Sequence, residues 1–350
     1  MQHILNAVIK ELAWNPDRRF IYVEQAFFQR WWDEIDEPTA ALVRGLVASG
    51  QLEFLNGGWS MHDEAAPGFV DMVDQTTLGH RLLKSQFNVT PKTTWQIDPF
   101  GHSTFQAFMS SPAAGFNALF FMRADWQEIA KRNNETTTEM IWAPSPTHKL
   151  SSATYAGILY GGYCTVAGLS MDFWSDDEPV MDDVRLEDYN VATIINATVA
   201  IVADALLKVP QGGSGGGDGG SDIMLPLGCD FEFENAGTWY TNTDKLIHYL
   251  NLDGRVNAFY STPSVYAAAK LLQNRTYTLK TDDFYPYDFF PHGYLTGYYT
   301  SRPALKGYIR ETSSVFQAAK QLQVFTGGAA DMSPTNPLFR IERSLGVSQQ

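Results

Sequence analysis

The sequence predicts an α/β fold, a parallel β/α barrel-like domain followed by the start of a helical bundle. Short apolar runs alternate with longer amphipathic stretches as far as about residue 272, an alternation that parallel βα units produce. After about residue 285 the alternation stops and one long helical pattern follows. We therefore expect the barrel-like domain over residues 1–272 and the beginning of a helical domain over residues 285–350.

The chain opens in a predicted amphipathic helix. Five apolar residues recur there at helical spacing, namely Ile4, Leu5, Val8, Ile9 and Leu12. No strand or helix-capping residue precedes them, so an internal methionine of a longer protein fits this start better than a natural N-terminus.

Six apolar runs are predicted strands. They are "RFIYV" (19–23), "LEFL" (52–55), "TTWQI" (93–97), "ALFFM" (118–122), "IMLPL" (223–227) and "NAFY" (257–260). Helical patterns lie between them over 38–49, 66–87, 188–207 and 241–251. Parallel α/β enzymes carry their active sites at the carboxyl ends of the strands. Glu24, Asp98, Arg123 and Asp230 follow four of these runs, so we expect them at one edge of the sheet.

The glycine-rich stretch "QGGSGGGDGGSD" (211–222) is a predicted flexible surface insertion. It contains a formal G-x-G-x-x-G pattern at Gly215, Gly217 and Gly220. A nucleotide-binding motif of that type needs a strand before it and a helix after it, and this one has neither. We therefore exclude a nucleotide site here.

Composition indicates a globular protein and excludes some partners. Hydrophobic residues make up 44% of the 350 residues, which is enough for a sizeable core. The formal net charge of −14 repels phosphate backbones, so we expect no nucleic-acid partner. No apolar run approaches the roughly 20 residues of a spanning helix, so we expect no membrane span.

Cysteines and glycosylation sequons leave the compartment open. Cys164 and Cys229 are too few for a disulfide framework, and the sequence does not decide whether they pair. Four N-x-S/T sequons, at Asn88, Asn134, Asn196 and Asn274, favour a secretory route only weakly. The N-terminus shows no signal peptide.

Two strand-end carboxylates, Asp98 and Asp230, are suited to glycoside hydrolysis. One would attack the anomeric carbon and the other would protonate the leaving oxygen. Strand-end aspartates more often cap a helix or pair with an arginine, so the pattern alone does not decide between these readings. Arg123 could keep Asp98 ionised or could form a plain structural ion pair.

Two histidines near these carboxylates are also open to more than one reading. His102, four residues after Asp98, is better explained by a supporting or capping role than by metal binding, because metal pairs at that spacing normally lie within a helix. The segment "MHDEA" (61–65) could line the site or form a solvated turn.

Longer motifs carry a family resemblance. They are "RRFIYVEQAFFQRWW" (18–32), "FLNGGWSMHDEA" (54–65), "WQIDPFGHS" (95–103), "LGCDFEFENA" (227–236) and "LTGYYTSRPALK" (295–306). Together they resemble the α-mannosidases of glycoside hydrolase family 38, the lysosomal or vacuolar branch more than the Golgi branch. The resemblance implies a retaining enzyme that removes terminal α-linked mannose from N-glycans, one zinc ion in the active site, and a lysosomal, vacuolar or secretory location.

The resemblance also assigns site residues. It implies that Asp98 is the nucleophile and a zinc ligand, and that Asp230 is the general acid/base. It implies that Arg123 lies beside the nucleophile and orients it, and that Phe100 lines the sugar subsite. Leu295 stands where relatives usually carry a tryptophan.

Three of the family's four zinc ligands are not matched in this chain. The sequence contains no His-x-Asp, which relatives carry on a first strand, and the later His-Asp-Ala-type motif would follow Gln350. We therefore expect a truncated chain that lacks its first strand and is inactive as written. The alternatives are a non-catalytic glycan-binding remnant and a related metal-dependent carbohydrate deacetylase.

Overall fold

A computed structural model describes residues 1–171, 177–211, 221–273, 275–328 and 331–350. Most of the predicted glycine-rich insertion and the sequon at Asn274 therefore lie outside the described residues. The described strands are β1 (Phe20–Tyr22), β2 (Leu52–Phe54), β3 (Thr93–Gln96), β4 (Ala118–Phe121), β5 (Glu139–Trp142), β6 (Thr154–Ile158) and β7 (Thr278–Lys280).

The helices of the first 208 residues are α1 (Gln2–Trp14), α2 (Gln25–Trp32), α3 (Glu37–Ala48), α4 (Phe69–Phe87), α5 (Thr104–Met109), α6 (Trp126–Glu135) and α7 (Val191–Lys208). The later helices are α8 (Ala236–Asp253), α9 (Pro263–Leu272), α10 (Pro303–Phe325) and α11 (Pro337–Val347). The helices predicted over 38–49, 66–87, 188–207 and 241–251 are thus confirmed as α3, α4, α7 and α8.

The strands form two open sheets in the described part of the chain. One pairs β1 with β2 in parallel, and the other has the order β3-β4-β6-β5-β7. Strands β3, β4 and β6 run parallel, so their carboxyl ends lie at one edge. Asn56 joins the two sheets, because its backbone N–H donates to the Thr93 carbonyl at 3.0 Å and its side chain bonds both backbone groups of Trp95.

The predicted parallel barrel is therefore confirmed only as a mixed α/β architecture. Strand β5 runs antiparallel to β6, and the ladders among the described residues do not close into a barrel. The first four predicted strands are confirmed as β1 to β4, whereas β5, β6 and β7 were not predicted.

Two of the predicted strands are wrong. Residues 223–227 form no ladder; Pro226 lacks the N–H that a central strand needs, and the segment is held by burial of Leu225 and Leu227 beside α8. Residues 257–260 also form no strand, because the Asn251 side chain bonds both the N–H and the C=O of Ala258, each at 2.8 Å. The Asn251 side-chain amide thus makes the hydrogen bonds that a neighbouring strand would otherwise make.

The predicted amphipathic helix at the N-terminus is confirmed as α1. All five of its apolar stripe residues are buried, namely Ile4, Leu5, Val8, Ile9 and Leu12. They join a core cluster with Phe28, Val43 and Tyr240, which lie on α2, α3 and α8. The alternation of apolar and polar positions in the sequence thus determines which face of α1 is buried.

The long helix expected after residue 285 is α10. It packs on α11, which in turn packs on α4 through a cluster of Trp59, Leu78, Leu82 and Phe339. The boundaries of the two predicted domains stay a prediction.

Helix α7 bears on the expected absence of a membrane span. Within the described residues it is the one helix whose 18 residues are long and apolar enough to cross a membrane, and only 22% of it is buried. Length and composition do not separate a span from a core helix, so the expectation is not confirmed.

Candidate active site

Asp98 and Arg123 form an ion pair at the carboxyl ends of β3 and β4. The Arg123 Nε donates to Asp98 Oδ1 at 2.9 Å, and a second guanidinium nitrogen donates to the same oxygen. The backbone completes the link, since the N–H of Gly101 donates to the Arg123 carbonyl at 3.1 Å. The predicted contact between Arg123 and Asp98 is therefore present; their catalytic roles stay predictions.

Two aromatic rings enclose the Arg123 guanidinium. Its central carbon lies 4.8 Å from the Phe100 ring centroid and 5.3 Å from that of Tyr163. Burial alone would lower the pKa of Arg123, but hydrogen bonds with Asp98 and Tyr287 and the charge of Asp98 raise it above its ordinary value. The guanidinium is thus held charged and fixed beside the carboxylate, while Asp98 itself stays about half exposed.

Tyr163 links this pair to Asp230. Its hydroxyl accepts a hydrogen bond from Arg123 at 3.2 Å. Burial raises the pKa of Tyr163, Arg123 lowers it, and the charges of Asp230 and Asp98 both raise it. Tyr163 thus contacts the Asp98–Arg123 pair directly, and its neighbour Cys164 is bonded to Cys229, the neighbour of Asp230.

A disulfide and two hydrogen bonds hold the Asp230 loop against the Tyr163 loop. Cys229, the residue before Asp230, is bonded to Cys164, the residue after Tyr163. Thr165 N donates to the Gly228 carbonyl at 2.9 Å, and Gly228 N donates to the Thr165 hydroxyl at 2.7 Å. The structure thus decides the pairing that the sequence left open.

Aromatic contacts also hold the turn that follows Asp230. Phe231 and Phe233 both adopt left-handed backbone conformations, with φ of 62° and 67°. Such conformations persist in non-glycine residues only where the surroundings enforce them. Here the Phe233 ring stacks on Trp239 at 4.7 Å and meets Phe20 edge-on at 5.3 Å.

The setting of Asp230 differs from the expectation. The sequence predicts Asp230 at the end of a strand, but Asp230 lies in a turn and is exposed. The physical reason is that residues 223–227 form no strand, so the loop reaches the site from its disulfide anchor instead of from a sheet edge.

A buried polar network supports the loop that follows Asp98. Glu64 accepts from the His102 Nδ1 at 2.9 Å and from the backbone N–H of Ser103 at 2.7 Å, and neither His102 nor Glu64 exposes its side chain. His62, also buried, is bonded to Gln75 and Gln106 at 2.7 Å each. His102 is therefore a supporting residue, and Ser103, not His102, caps α5. The segment "MHDEA" is not a solvated turn, because His62 and Glu64 are buried.

Glu24, at the end of β1, also faces this region. Burial raises its pKa, a hydrogen bond from the Met61 N–H lowers it, and the charge of Asp98 raises it further. The charge of Asp98 thus raises the pKa of Glu24 as well as that of Tyr163. Leu295 lies in a separate loop, where its N–H donates to the Tyr287 carbonyl at 3.1 Å.

The residues that the structure describes do not make a zinc site by themselves. Among the described residues, no three His, Cys, Asp or Glu side chains lie close enough together to hold a metal ion. A zinc site takes three or four protein ligands, whereas His62 uses both ring nitrogens, and His102 its Nδ1, in the buried network. Asp98 is one candidate ligand, and no step below runs through a metal.

Comparison with protein-family models decides the family. The model of the N-terminal domain of glycosyl hydrolases family 38 matches residues 1–289. The chain belongs to family 38. A probable alpha-mannosidase of Arabidopsis thaliana is 48% identical over 93% of this chain, and this match covers 31% of that protein. The lysosomal alpha-mannosidase of Homo sapiens is 39% identical over 95% of this chain and 33% of that protein.

This family 38 chain therefore spans about a third of the length of these curated relatives. Solved structures agree on the fold. An alpha-mannosidase from Enterococcus faecalis V583 superposes with a TM-score of 0.58 at 13% identity, over 81% of this chain and 28% of that one. A 4-alpha-glucanotransferase from Thermococcus litoralis gives 0.51 at 11% identity, over 82% and 39%. At these identities the likeness shows the fold alone.

Two features of the site were not predicted from the sequence. Tyr163 follows β6, a strand that was itself missed, so its place at the sheet edge was hidden. The pairing of Cys164 with Cys229 spans 65 residues and carries no local pattern. A signal was present in part, because one of the two cysteines adjoins a predicted catalytic aspartate.

Proposed function

We propose that the protein hydrolyses terminal α-linked mannose, with Asp98 as nucleophile and Asp230 as general acid/base. The expectation that the chain is inactive as written stays a prediction, and the experiments below test it. The observation that carries the proposal is the Arg123–Asp98 ion pair, which Tyr163 contacts and whose neighbouring loop is bonded through Cys164–Cys229 to the loop of Asp230. Relatives that are alpha-mannosidases by name, from Arabidopsis thaliana and Canavalia ensiformis, support the proposal.

The reaction would proceed in two steps. In the first, Asp98 forms a bond to the anomeric carbon while the bond to the leaving oxygen breaks, and Asp230 gives its proton to that oxygen. In the second, Asp230 takes a proton from water, the water oxygen bonds to the anomeric carbon, and the bond to Asp98 breaks. Two inversions give net retention.

Arg123 would determine which oxygen of Asp98 reacts. The hydrogen bonds that the described part of the chain gives Asp98 end at Oδ1. Oδ2 would then be the attacking atom, and the charged guanidinium would stabilise the carboxylate released in the second step. Phe100, stacked on the guanidinium, would present an apolar face to the sugar.

The substrate and the compartment are part of the same proposal. We expect mannose-containing oligosaccharides such as N-glycans as substrates and the lysosome, vacuole or secretory route as location. A disulfide persists in oxidising compartments, and Cys164–Cys229 fits that setting. The sequon residues Asn134 and Asn196 are exposed, as glycosylation requires. Zinc stays a proposal in which Asp98 supplies one ligand oxygen.

Trapping of the covalent intermediate tests this assignment. A fluorinated mannosyl fluoride should label the protein, and peptide mass spectrometry should place the label on Asp98. Asp98→Asn should abolish labelling and α-mannoside hydrolysis, whereas Asp36→Asn, a change of an exposed capping residue of α3, should leave both intact.

Two further measurements complete this test. Proton NMR of the first sugar released should show the α-anomer; initial release of the β-anomer would refute Asp98 as nucleophile. Binding of α-mannosides without cleavage, with and without added zinc, would favour the glycan-binding alternative over the hydrolase.

A further inference from the structure

An exposed aromatic hairpin lies beside the candidate site and takes no part in the mechanism above. Phe289, Phe290 and Tyr294 are 56%, 53% and 62% exposed. We call these three residues the aromatic ledge. Exposed aromatic rings that are clustered, rather than scattered singly, mark binding surfaces.

The ledge continues the candidate sugar site through a row of rings. Phe100 lies 5.8 Å from the buried Tyr287 ring, Tyr287 lies 6.5 Å from Phe289, and Phe289 lies 5.0 Å from Phe290. The row thus begins at the ring that stacks on Arg123 and ends in solvent. Each spacing is comparable with the width of one sugar ring.

The hairpin is held in place by its backbone. Asp288 and Tyr294 form an antiparallel bridge, and the Phe289 N–H donates to the Gly293 carbonyl at 3.2 Å. The Asp288 carbonyl accepts from the N–H of Trp126 at 3.0 Å. The ledge is therefore a fixed platform, which loses little conformational entropy on binding.

Gly293 sets the position of the outermost ring. A Cβ at this residue would lie 3.0 Å from the Phe290 ring and 3.0 Å from the Phe290 carbonyl oxygen. The Phe290 ring thus folds back over a residue that has no side chain, and this packing holds it in the exposed row.

We propose that the aromatic ledge binds the second and third sugar units of a neutral α-linked mannose oligosaccharide whose terminal unit occupies the Asp98 site. This inference rests on the proposed function and names the substrate size that the same site takes. The carbon-bound hydrogens of a pyranose form an apolar face that stacks on aromatic rings. A neutral ligand also agrees with the chain's net charge of −14, which disfavours anionic partners.

Binding measurements test the proposal without requiring turnover. The probes are methyl α-mannoside and a non-hydrolysable, sulfur-linked α-mannotriose, titrated calorimetrically into the whole chain. We expect the trisaccharide to bind at least about 10-fold more tightly, which corresponds to about 1.4 kcal/mol. Phe289→Ser/Phe290→Ser should reduce that preference to about 2-fold or less while the affinity for methyl α-mannoside stays unchanged.

Two control variants sharpen the test. Phe289→Leu/Phe290→Leu keeps apolar area but removes the rings, so it should also lose the preference. Phe325→Ser removes a ring that is even more exposed, at 81%, at the far end of α10, and should keep the preference. Thermal unfolding of all variants should match the wild type, because the altered side chains are more than half exposed.

The outcomes separate the ledge from the proposed function. Equal affinity of the wild type for both ligands, or a preference that survives in the serine variant, would overturn the ledge alone. Failure to bind either mannoside would overturn the proposed function and with it the ledge. A concentration-dependent dimer that Phe289→Ser/Phe290→Ser abolishes in sedimentation velocity would show instead that a second copy of the chain covers these rings.

Discussion

Cys164 and Cys229 join the two loops that carry Tyr163 and Asp230. Each cysteine is the immediate neighbour of one of these site residues, and Thr165 and Gly228 pair their backbones beside the disulfide. The predicted general acid therefore owes its position to a covalent link between loops rather than to a strand.

Removal of this disulfide should lower both stability and activity. For Cys164→Ala/Cys229→Ala we expect a loss of about 2–4 kcal/mol in the free energy of unfolding, because the unfolded chain is no longer cross-linked. The rate constant kcat should fall more than KM rises, since Asp230 would act on the bound sugar. Urea unfolding and α-mannoside kinetics measure the two effects.

Reduction provides the matched control for this variant. The chain contains two cysteines, so thiol titration under denaturing conditions should find none free before reduction and two after it. Dithiothreitol should shift the wild type towards the double variant and leave that variant unchanged. An unaltered unfolding curve for the reduced wild type would show that the disulfide does not stabilise the protein.

Replacement of Arg123 should affect the chemical step. Arg123→Ala removes the donors to Asp98 Oδ1 and the cation between Phe100 and Tyr163, and we expect kcat to fall by about 100-fold or more. Arg123→Lys restores charge but not the two-nitrogen contact, so it should recover only part of the loss. Steady-state kinetics on an aryl α-mannoside measures this. Activity of Arg123→Ala close to that of the wild type would remove the arginine from the site.

The ion pair between Lys270 and Glu139 should be important for stability. Both side chains are buried, at 0% and 3% exposure, with Lys270 Nζ 3.3 Å from Glu139 Oε2. Lys270→Met should cost about 3–5 kcal/mol, since it leaves a buried carboxylate without its charged partner. Chemical unfolding measures the cost.

A double variant distinguishes loss of the pair from loss of packing. Lys270→Met/Glu139→Gln removes both charges and should recover a large part of the stability. A double variant as unstable as Lys270→Met would assign the effect to the packing of the lysine chain and its contact with the Pro210 carbonyl.

Glu24 should make stability depend on pH. Burial, and then the charge of Asp98, raise its pKa in the folded protein above that in the unfolded chain. A raised carboxyl pKa stabilises the fold at low pH, and this contribution is lost as pH rises through the folded value. Glu24→Gln should therefore gain stability relative to the wild type as pH increases from about 4.5 to 7.5.

Melting temperatures across this pH range provide the measurement. Glu187→Gln, which changes an exposed glutamate in a turn, is the control and should follow the wild-type curve at every pH. A constant difference between Glu24→Gln and the wild type would show that the Glu24 carboxyl does not titrate with a raised pKa.

Local patterns in the sequence were enough to predict much of the fold. The spacing of Leu5, Val8 and Leu12 predicts the buried face of α1, and continuous apolar runs predict β3 and β4. Asp98 and Arg123 follow those two strands, so their meeting at one edge could be predicted because parallel neighbours end together. Periodicity and strand ends are properties of short segments, and a sequence contains them directly.

Other parts of the candidate site were decided only by tertiary structure. Three features depend on which distant segments lie together. They are the antiparallel pairing of β5 with β6, the absence of strand pairing at residues 223–227, and the Cys164–Cys229 bond. The loops of Asp230 and Tyr163 lie together because a bond across 65 residues joins them. The sequence by itself determined where most helices and the first four strands form, and which charged residues follow those strands. The packing of the chain determined which of them meet, because hydrogen bonds and covalent links between distant residues have no local pattern.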